Sequence, residues 1–434
     1  MHSHHSHSGQ FCAHAEAGCT PRMMLDRAKL LGFTRYNLTE HIPRRKQSQL
    51  YPEETEAGLD PQKLAQRFEE YLSEARKIQQ EKGRSVLVGA ETENIQAAEG
   101  QSCLQKNTDL SGIHDLIAVL EADHGTEQLA GSSEKRPGSV GKGRVDYLVG
   151  GVHHVGSIPI DFDVPTFERA LRVFGWDGVA DSHLSSSSSK RLAHLRLAAH
   201  YLDQQYDLLK HVRPEVIAHF DLCRLWDHTL PLAQEQHRNA GDALELGPNV
   251  VDSYKLEQLV DERTRRNVAF AISYGALFEV SGAAVRKGWP TPYPGLEVLK
   301  LVVSLGGRLC LSDDAHSLAQ IGHSFQAVKA HLDSVPGAWN SLHYLTWNED
   351  EQPALSHEEG QAQDSQREAR EHYLFAKAVG KEVGNRFDDP PEIFERGTRA
   401  VKPSGPSTDA VFWVELEQRR QRLNDALSSK RAGG

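Results

Sequence analysis

Short, continuously apolar segments alternate with amphipathic helical segments along this chain. This alternation is typical of an α/β fold, in which parallel strands are buried on both faces. The apolar segments predict strands at Ser85–Gly89, Val145–Val149, Val216–Phe220, Leu277–Val280 and Arg308–Leu311. The helical spacing predicts helices at Leu64–Gly83, Thr166–Phe174, Arg191–His211, Ser253–Ser273, Gly295–Ser304 and Gln366–Val383.

The first fourteen residues are unusually rich in histidine. In an extended strand, residues two apart point to the same side, so His5 and His7 could present two imidazoles to one cation. His2 and His4 have the same spacing. From these residues alone, a disordered histidine tract or an expression tag is an equal alternative.

Histidine and acidic residues follow the predicted strands at their C-terminal ends. They are Glu40, His41, Glu91, His153, His154, His219, Asp221, Asp313, Asp314 and His316. In a parallel barrel these ends converge on one face, and that face carries the chemistry. One histidine at a strand end is usually structural. The recurrence of histidine or acidic residues at successive strand ends, together with His5, His7 and His14, favours a metal site.

Composition narrows the classes of partner. A net charge of −11 over 434 residues disfavours a general nucleic-acid or anionic-membrane surface and favours a small-molecule partner. No apolar run reaches the ~18 residues of a membrane span, so we expect a cytoplasmic protein. The five cysteines have no Cys-x-x-Cys pairing and are expected to be reduced thiols, which leaves histidines and carboxylates as metal ligands.

The chain is expected to form one catalytic domain over residues 1–385, followed by a polar C-terminal tail over residues 386–434. Residues from about 97 to 143 are polar, and residues 184–190 contain five consecutive serines. Both segments are expected to be polar surface insertions rather than core elements. The tail is expected to pack at the edge of the domain or to extend as a short helix.

The ordered series of strand-end residues resembles the polymerase-and-histidinol-phosphatase (PHP) family of metallohydrolases. The family pattern runs His-x-His, Asp/Glu-His, Gly-x-Glu, one histidine on each of two later strands, and Asp-x-His. This sequence supplies, in that order, His5, His7, Glu40, His41, Gly89, Glu91, His153, His219, Asp314 and His316. The resemblance covers about residues 1–325. Details at Thr39–Pro43, Gly150–His154, His219–Asp221 and Glu279–Arg286 resemble the histidinol-phosphatase branch, and Ser3–Gly9 looks like its fungal form.

The resemblance implies a distorted (β/α)7 TIM-like barrel, the PHP fold, that holds two to three divalent metal ions. Zinc, manganese and iron all suit mixed imidazole and carboxylate ligands. By resemblance, the first ion would be held by His5, His7, Glu91 and Asp314. The second would share Glu91 and add His153 and His219, and the third would use His14, His41 and His316. Catalytic roles are expected for Glu91, Asp314 and His316.

Four further residues are expected to bind substrate. Arg286 is the best candidate for a phosphate clamp, because a guanidinium can bind phosphate through two hydrogen bonds, although a surface ion pair is an open alternative. Glu279 could receive the amino or imidazole end of the substrate, and a structural strand-end carboxylate is an equally open reading. His154 is expected either to support the ligand histidines from behind or to face the substrate, and Arg44 is a weaker phosphate candidate.

The implied reaction is hydrolysis of a phosphate monoester, L-histidinol phosphate, to L-histidinol and phosphate in histidine biosynthesis. One alternative is another PHP phosphoesterase, either a nucleoside-monophosphate phosphatase or a 3′ to 5′ exonuclease. The acidic balance weighs against the exonuclease, which needs a basic track for single strands. The other alternative is a non-catalytic metal-binding protein, and the intact set of candidate ligands argues against it.

Overall fold

A computed structural model describes residues 1–96, 110–122, 136–178, 186–234, 248–349, 357–383, 387, 389–403 and 410–432. Its strands are β1 (His2–Ser3), β2 (Arg35–Tyr36), β3 (Gly89–Thr92), β4 (Tyr147–Gly150), β5 (His154–Val155), β6 (Ile158–Pro159), β7 (Val216–Ile217), β8 (Leu277–Ser281), β9 (Arg308–Ser312), β10 (Tyr344–Trp347) and β11 (Thr398–Val401). Its helices are α1 (Pro21–Leu31), α2 (Pro52–Glu56), α3 (Pro61–Lys82), α4 (Ser111–Leu120), α5 (Val164–Val173), α6 (Ser186–Val212), α7 (Pro248–Ser273), α8 (Ala283–Arg286), α9 (Leu296–Ser304), α10 (Phe325–Asp333), α11 (His357–Ala378) and α12 (Ala410–Ala432).

The centre of the fold is a five-stranded parallel sheet in the order β3-β4-β7-β8-β9. Strands β1 and β2 pair with each other, also in parallel. Single parallel bridges continue from this pair toward both edges of the sheet, at Leu38 with Val88 and at Ser6 with Ala315. Among the described residues no sheet closes on itself. The fold is therefore a mixed α/β fold with a central parallel sheet, as the sequence predicted.

Helix α3 shows how local sequence sets the boundaries of these elements. Asp60 caps the helix by accepting a hydrogen bond from the backbone N–H of Lys63 at 2.8 Å, and Pro61 occupies the first turn, where its missing N–H costs nothing. The helix ends at Gly83, whose φ of +70° suits glycine. The apolar face buries Phe68 and Tyr71 against the sheet.

Strand β3 begins four residues later than the predicted Ser85–Gly89, so Glu91 lies within the strand instead of after it. The reason is that backbone N–H groups just before β3 donate hydrogen bonds to side chains. Leu87 N–H donates to Asn37 Oδ1 at 3.1 Å, and Val88 N–H donates to Asp146 Oδ2 at 2.7 Å. The predicted strand Val216–Phe220 is also shorter, because the backbone of His219 turns to a φ of +22°.

The segment 97–143 is not wholly a surface insertion. In its described part, helix α4 buries Ile113, Leu116 and Leu120 in the main core, because these residues recur at three- and four-residue spacing on one helix face. The serine run also departs from the predicted loop, since helix α6 already begins at Ser186. Residues 97–109, 123–135 and 179–185 lie outside the described residues.

The C-terminal residues form more than a polar edge or a short helix. Strand β11 pairs antiparallel with β10, and helix α12 runs for 23 residues with Trp413 fully buried. Arg396 is buried beneath the sheet, where it pairs with Glu215 at 2.8 Å. Apolar and paired charged residues thus join this segment to the body of the fold.

The remaining predicted helices agree with the structure to within a few residues, except that α11 starts at His357, well before Gln366. None of the helices in the described ranges is long and apolar enough to cross a membrane.

Candidate metal centre

Imidazole and carboxylate groups meet at the C-terminal edge of the parallel sheet. The structure brings all nine predicted metal ligands into one connected cluster of close contacts: His5, His7, His14, His41, Glu91, His153, His219, Asp314 and His316. The cluster forms here because strands β3, β7 and β9 end at this edge. The residues that follow β1 and β2 also reach it.

Glu91 lies at the centre of the cluster and is 1% exposed. Its Oε2 atom is 3.2 Å from Nε2 of His5, 3.2 Å from Nε2 of His7 and 2.8 Å from Nδ1 of His41. Asp314 Oδ1 approaches the same two Nε2 atoms, of His5 and His7, at 3.6 Å each. One carboxylate oxygen of Glu91 thus faces the group formed by His5, His7 and Asp314.

The other oxygen of Glu91 faces a different pair of histidines. Oε1 is 3.0 Å from Nε2 of His219 and 3.1 Å from Nε2 of His153. A carboxylate that presents one oxygen to each of two imidazole groups is suited to bridge two cations. The structure brings His153, rather than His154, to this position.

Three pairs of imidazole nitrogens in the cluster lie about as far apart as two ligands of one ion. The Nε2 atoms are 3.0 Å apart in His5 and His7, 3.2 Å apart in His153 and His219, and 3.2 Å apart in His14 and His41. Two nitrogens bound to one tetrahedral zinc ion at 2.0–2.1 Å would be about 3.3 Å apart. These donors therefore fit divalent cations.

A third group of donors lies beside the first. The ring of His7 stacks on His41 at 4.2 Å and on His316 at 4.5 Å between centroids. His316 Nδ1 is 3.0 Å from the carbonyl oxygen of Asp314. An N–H at Nδ1 leaves the lone pair of Nε2 available to bind a metal ion. His14 completes the group, with its ring 4.9 Å from that of His316.

The electrostatics of the cluster favour ligand-competent forms. Burial and the neighbouring His7 lower the pKa of His316 to about 3. Burial would raise the pKa of the Glu91 carboxyl, but His5 and His153 outweigh it and hold this pKa well below its usual value. His316 is therefore a neutral imidazole and Glu91 a carboxylate at neutral pH, as metal ligands must be.

The same contacts raise the pKa of two of the histidines. Burial disfavours the charged forms of His5 and His153. The carboxylates around each ring, of which Glu91 acts most strongly on both, together outweigh burial and raise the pKa of both histidines. Their protons take the place that a cation would occupy between imidazole and carboxylate. Binding a cation here must therefore release protons.

Glu279 does not lie where a substrate-binding residue would. Its Oε2 atom is 2.8 Å from Nδ1 of His5, its Oε1 atom accepts a hydrogen bond from the backbone N–H of His219 at 3.2 Å, and its side chain is fully buried. Both oxygens are engaged behind the ligands, on the side away from the cleft. These contacts match the alternative reading of Glu279 as a structural strand-end carboxylate and not the expected contact with the substrate.

Glu93 contacts two of the predicted site histidines, and the sequence analysis did not single it out. Its Oε2 atom is 2.9 Å from Nδ1 of His153 and 3.1 Å from Nδ1 of His154. The signal was present, since Glu93 is two residues after Glu91 on an extended segment and so lies on the same side. His154 is fully buried against the ring of Tyr51, which matches the reading of His154 as a supporting residue and not the reading that it faces the substrate.

Arg44 is also placed differently from the expectation of a phosphate contact. Its guanidinium pairs with Glu54 at 3.2 Å, lies over the ring of Tyr51 and is 3% exposed. A buried arginine that is held in this way supports the loop after His41. It does not line the cleft.

Arg286 does line the cleft. Its two terminal nitrogens donate hydrogen bonds to the carbonyl oxygens of Asp313 and Asp314, each at 2.6 Å. Asp314 has a φ of +47°, a strained conformation for a residue with a side chain. The arginine therefore holds the strained turn that carries the predicted ligand Asp314 and still presents its charge to the cleft.

The cleft in front of the cluster has a volume of about 310 Å³. One wall consists of the ligand residues. The remaining wall is formed by Tyr51, Glu53, Asp161, Phe162, Leu222, Arg286, Lys287, Tyr293 and Gln320. A cleft of this size suits a small molecule.

A parallel α/β fold with this donor set at the C-terminal edge of its sheet defines a metal-binding α/β protein. The chain is 34% identical over 333 residues to the probable histidinol-phosphatase of Schizosaccharomyces pombe, which covers 76% of this chain and 85% of that protein. It is 30% identical over 358 residues to the histidinol-phosphatase of Saccharomyces cerevisiae, which covers 81% of this chain and 92% of that protein. The chain belongs to the histidinol-phosphatase family, which confirms the resemblance seen in the sequence.

Two other comparisons add little. No protein-family model matches the chain. The crystal structure of a histidinol phosphate phosphatase from Lactococcus lactis, complexed with zinc, L-histidinol and phosphate, is similar at 14% identity and a TM-score of 0.37, and the match covers 76% of this chain and 93% of that chain. A likeness this low supports no statement about the present site.

Proposed function

We propose that this chain hydrolyses L-histidinol phosphate to L-histidinol and phosphate, a step of histidine biosynthesis. The observation that carries the proposal is the connected cluster of nine metal-ligand residues facing a small-molecule cleft. Membership of the histidinol-phosphatase family supplies the substrate class.

Two to three divalent ions, of zinc, manganese or iron, would occupy the cluster. The first would be held by His5, His7, Glu91 and Asp314, the second by Glu91, His153 and His219, and the third by His14, His41 and His316. Such ions neutralise phosphoryl oxygens and lower the pKa of water, which makes water a nucleophile at neutral pH. Glu91, Asp314 and His316 are the residues to which we assign the direct catalytic roles.

The arrangement of strands supports a distorted seven-stranded barrel as the scaffold. Five strands form the central sheet, and the remaining two, β1 and β2, approach its opposite edges through the bridges of Ser6 with Ala315 and Leu38 with Val88. We assign residues 1–385 to one catalytic domain and residues 386–434 to a C-terminal segment that packs on it. Such a barrel would bring all seven strand ends to the metal face.

The cleft contains groups that suit both ends of the proposed substrate. The guanidinium of Arg286 would attract the phosphate dianion to the metal side, since it remains charged while it binds two carbonyl oxygens. On the other wall, Asp161 Oδ1 accepts a hydrogen bond from the Tyr51 hydroxyl at 3.0 Å, and Glu53 Oε2 has no hydrogen-bond partner. These two carboxylates would bind the ammonium group of histidinol phosphate, the role first expected of Glu279.

The test is phosphate release from L-histidinol phosphate by the zinc- or manganese-loaded protein, with a generic monoester and AMP as competing substrates. The variant His219→Ala removes a central ligand, and His228→Ala changes an exposed histidine outside the cluster. Preference for histidinol phosphate that is lost only in His219→Ala supports the proposal. Equal cleavage of AMP would overturn the substrate, and absence of any turnover would overturn the catalytic function.

A further inference from the structure

We propose that Cys12 is a ligand of the ion held near His14 and His41, which makes this third site a thiolate–imidazole site. The inference rests on the metal dependence proposed above and deepens it. It departs from the sequence-based expectation that only histidines and carboxylates bind metal.

The first observation is the position of the thiol. Cys12 Sγ is 3.2 Å from Nε2 of His14, and that nitrogen is 3.2 Å from Nε2 of His41. A sulfur and a nitrogen bound to one tetrahedral zinc ion, at about 2.3 and 2.0–2.1 Å, would be about 3.5 Å apart. A small adjustment of either side chain would therefore place Sγ within bonding distance of an ion held by the two imidazoles.

The second observation is a convergence of donors that does not involve His14. One donor atom each from His7, Cys12, His41 and His316 lies within 4.8 Å of the others. His7 and Cys12 are both buried, and the group holds three imidazoles and one thiol. Three imidazoles and a thiol form a donor set that suits one tetrahedral zinc ion.

The backbone explains why the thiol points inward. The backbone N–H groups of Phe11 and Cys12 both donate to the carbonyl oxygen of Ser8, at 3.2 and 2.9 Å, and the N–H of Ala15 donates to the carbonyl of Cys12 at 3.3 Å. Successive tight turns therefore hold residues 8–15. Cys12 is 6% exposed, so the turns present its sulfur to the cluster and not to solvent.

A sulfur ligand would change which ion this site prefers. Thiolate is a soft ligand that favours zinc, whereas carboxylate-rich sites accept manganese or magnesium readily. The site near Cys12 would therefore retain zinc when the positions held by Glu91 and Asp314 exchange it for manganese. The competing interpretation is that Cys12 only makes a hydrogen bond with His14.

Cobalt(II) substitution separates these interpretations, because a thiolate bound to cobalt gives a charge-transfer band in the near ultraviolet and a hydrogen-bonded thiol does not. We expect the cobalt-loaded protein to show this band, Cys12→Ser to lose it, and Cys19→Ser to keep it. Cys19 is a suitable control, since it is also buried and close in sequence but lies outside the donor group. We also expect Cys12→Ser to bind zinc at least tenfold more weakly at one site of the cluster.

Metal content and histidinol phosphate turnover are measured on the same samples. Cobalt binding and turnover without the band, or a band that persists in Cys12→Ser, would overturn the role of Cys12 and leave the phosphatase proposal standing. A protein that binds no cobalt and hydrolyses no ester would overturn both. Far-ultraviolet circular dichroism checks that the variants fold. If Cys12→Ser does not fold, the cobalt spectra of Cys12→Ala and of the wild type decide whether Cys12 is a ligand.

Discussion

Nδ1 of His5 lies 2.8 Å from Oε2 of Glu279 on β8, a strand that two others separate from β3 and its Glu91 in the sheet order. A hydrogen bond at Nδ1 fixes the orientation of the ring and directs Nε2 toward the metal position. Glu93 acts in the same way on His153, at 2.9 Å. Strand β3 thus carries the candidate ligand Glu91, while β8 and the residue directly after β3 supply carboxylates that contact other candidate ligands.

The first prediction concerns Glu279→Gln. The amide keeps the size of the side chain but loses the charge that strengthens the contact with His5, so metal affinity should fall by about 10- to 100-fold. Zinc affinity is measured by competition with a chelating dye. The matched variant Glu81→Gln removes an exposed carboxylate that pairs with Arg22 and should change nothing. Equal affinities in all three proteins would contradict the positioning role.

The second prediction concerns Gly151→Ala. A Cβ atom at this position would lie 2.8 Å from Glu91 Oε1 and 2.8 Å from Cε1 of His153, so the methyl group must displace ligands. Metal content should fall and turnover should drop at least tenfold while the fold persists. In the control Gly360→Ala, the added methyl group meets only the flexible end of Arg136. Full metal content in Gly151→Ala would show that the cluster tolerates the displacement.

The ligand positions were predictable because few arrangements of the chain satisfy the pattern. Apolar segments predicted parallel strands, and the C-terminal ends of parallel strands meet at one edge, so residues as distant in sequence as His7 and Asp314 had to meet. Their order along the chain also matched a known family. The shift of β3 was not predictable in this way, because it depends on Asn37 and Asp146 taking up backbone donors.

The roles of residues around the ligands were harder to predict, because they depend on where each side chain points. Sequence position placed Glu279, His154 and Arg44 beside the site, but packing turned them toward His5, Glu93 and Glu54 instead of the cleft. Glu53 reaches the cleft from the short helix α2 and Asp161 from the loop after β6, and hydrophobic pattern predicted neither position. Hydrophobic pattern specifies strands and faces, whereas long polar side chains choose among partners only in the folded chain.

The third prediction concerns Asp161→Asn. Asp161 lines the cleft and, by the proposal above, binds the ammonium group of the substrate. Loss of this charge should raise KM for L-histidinol phosphate by about tenfold, the scale of one hydrogen bond to a charged group. The kinetic constants for p-nitrophenyl phosphate, which lacks an ammonium group, should not change. An equal rise in KM for both esters would assign Asp161 to general structure instead of substrate selection.

The fourth prediction concerns Arg286→Lys. Lysine keeps the positive charge but cannot bridge the carbonyl oxygens of Asp313 and Asp314 with a planar fork. We expect a rise of about tenfold or more in KM, and weaker inhibition by inorganic phosphate, from the loss of charge-assisted hydrogen bonds. Arg45→Lys changes an exposed arginine and serves as the control. Unchanged inhibition by phosphate in Arg286→Lys would contradict the phosphate contact.

The fifth prediction concerns His343, a buried histidine outside the predicted ligand set. Burial lowers its pKa from 6.5 to about 4, and its Nδ1 lies 2.7 Å from the carbonyl oxygen of Ser341. Between these two pKa values the unfolded chain binds the proton and the folded chain does not. The folded state therefore has its full stability above pH 6.5 and loses part of it as the pH falls toward 4. The free energy of unfolding is measured with urea at pH 7.5 and at pH 5.5. Its decrease between these pH values should be smaller by about 1 kcal/mol in His343→Asn than in the wild type. The exposed His372→Asn should behave as the wild type. Identical pH dependence in all three proteins would mean that His343 is protonated equally in both states.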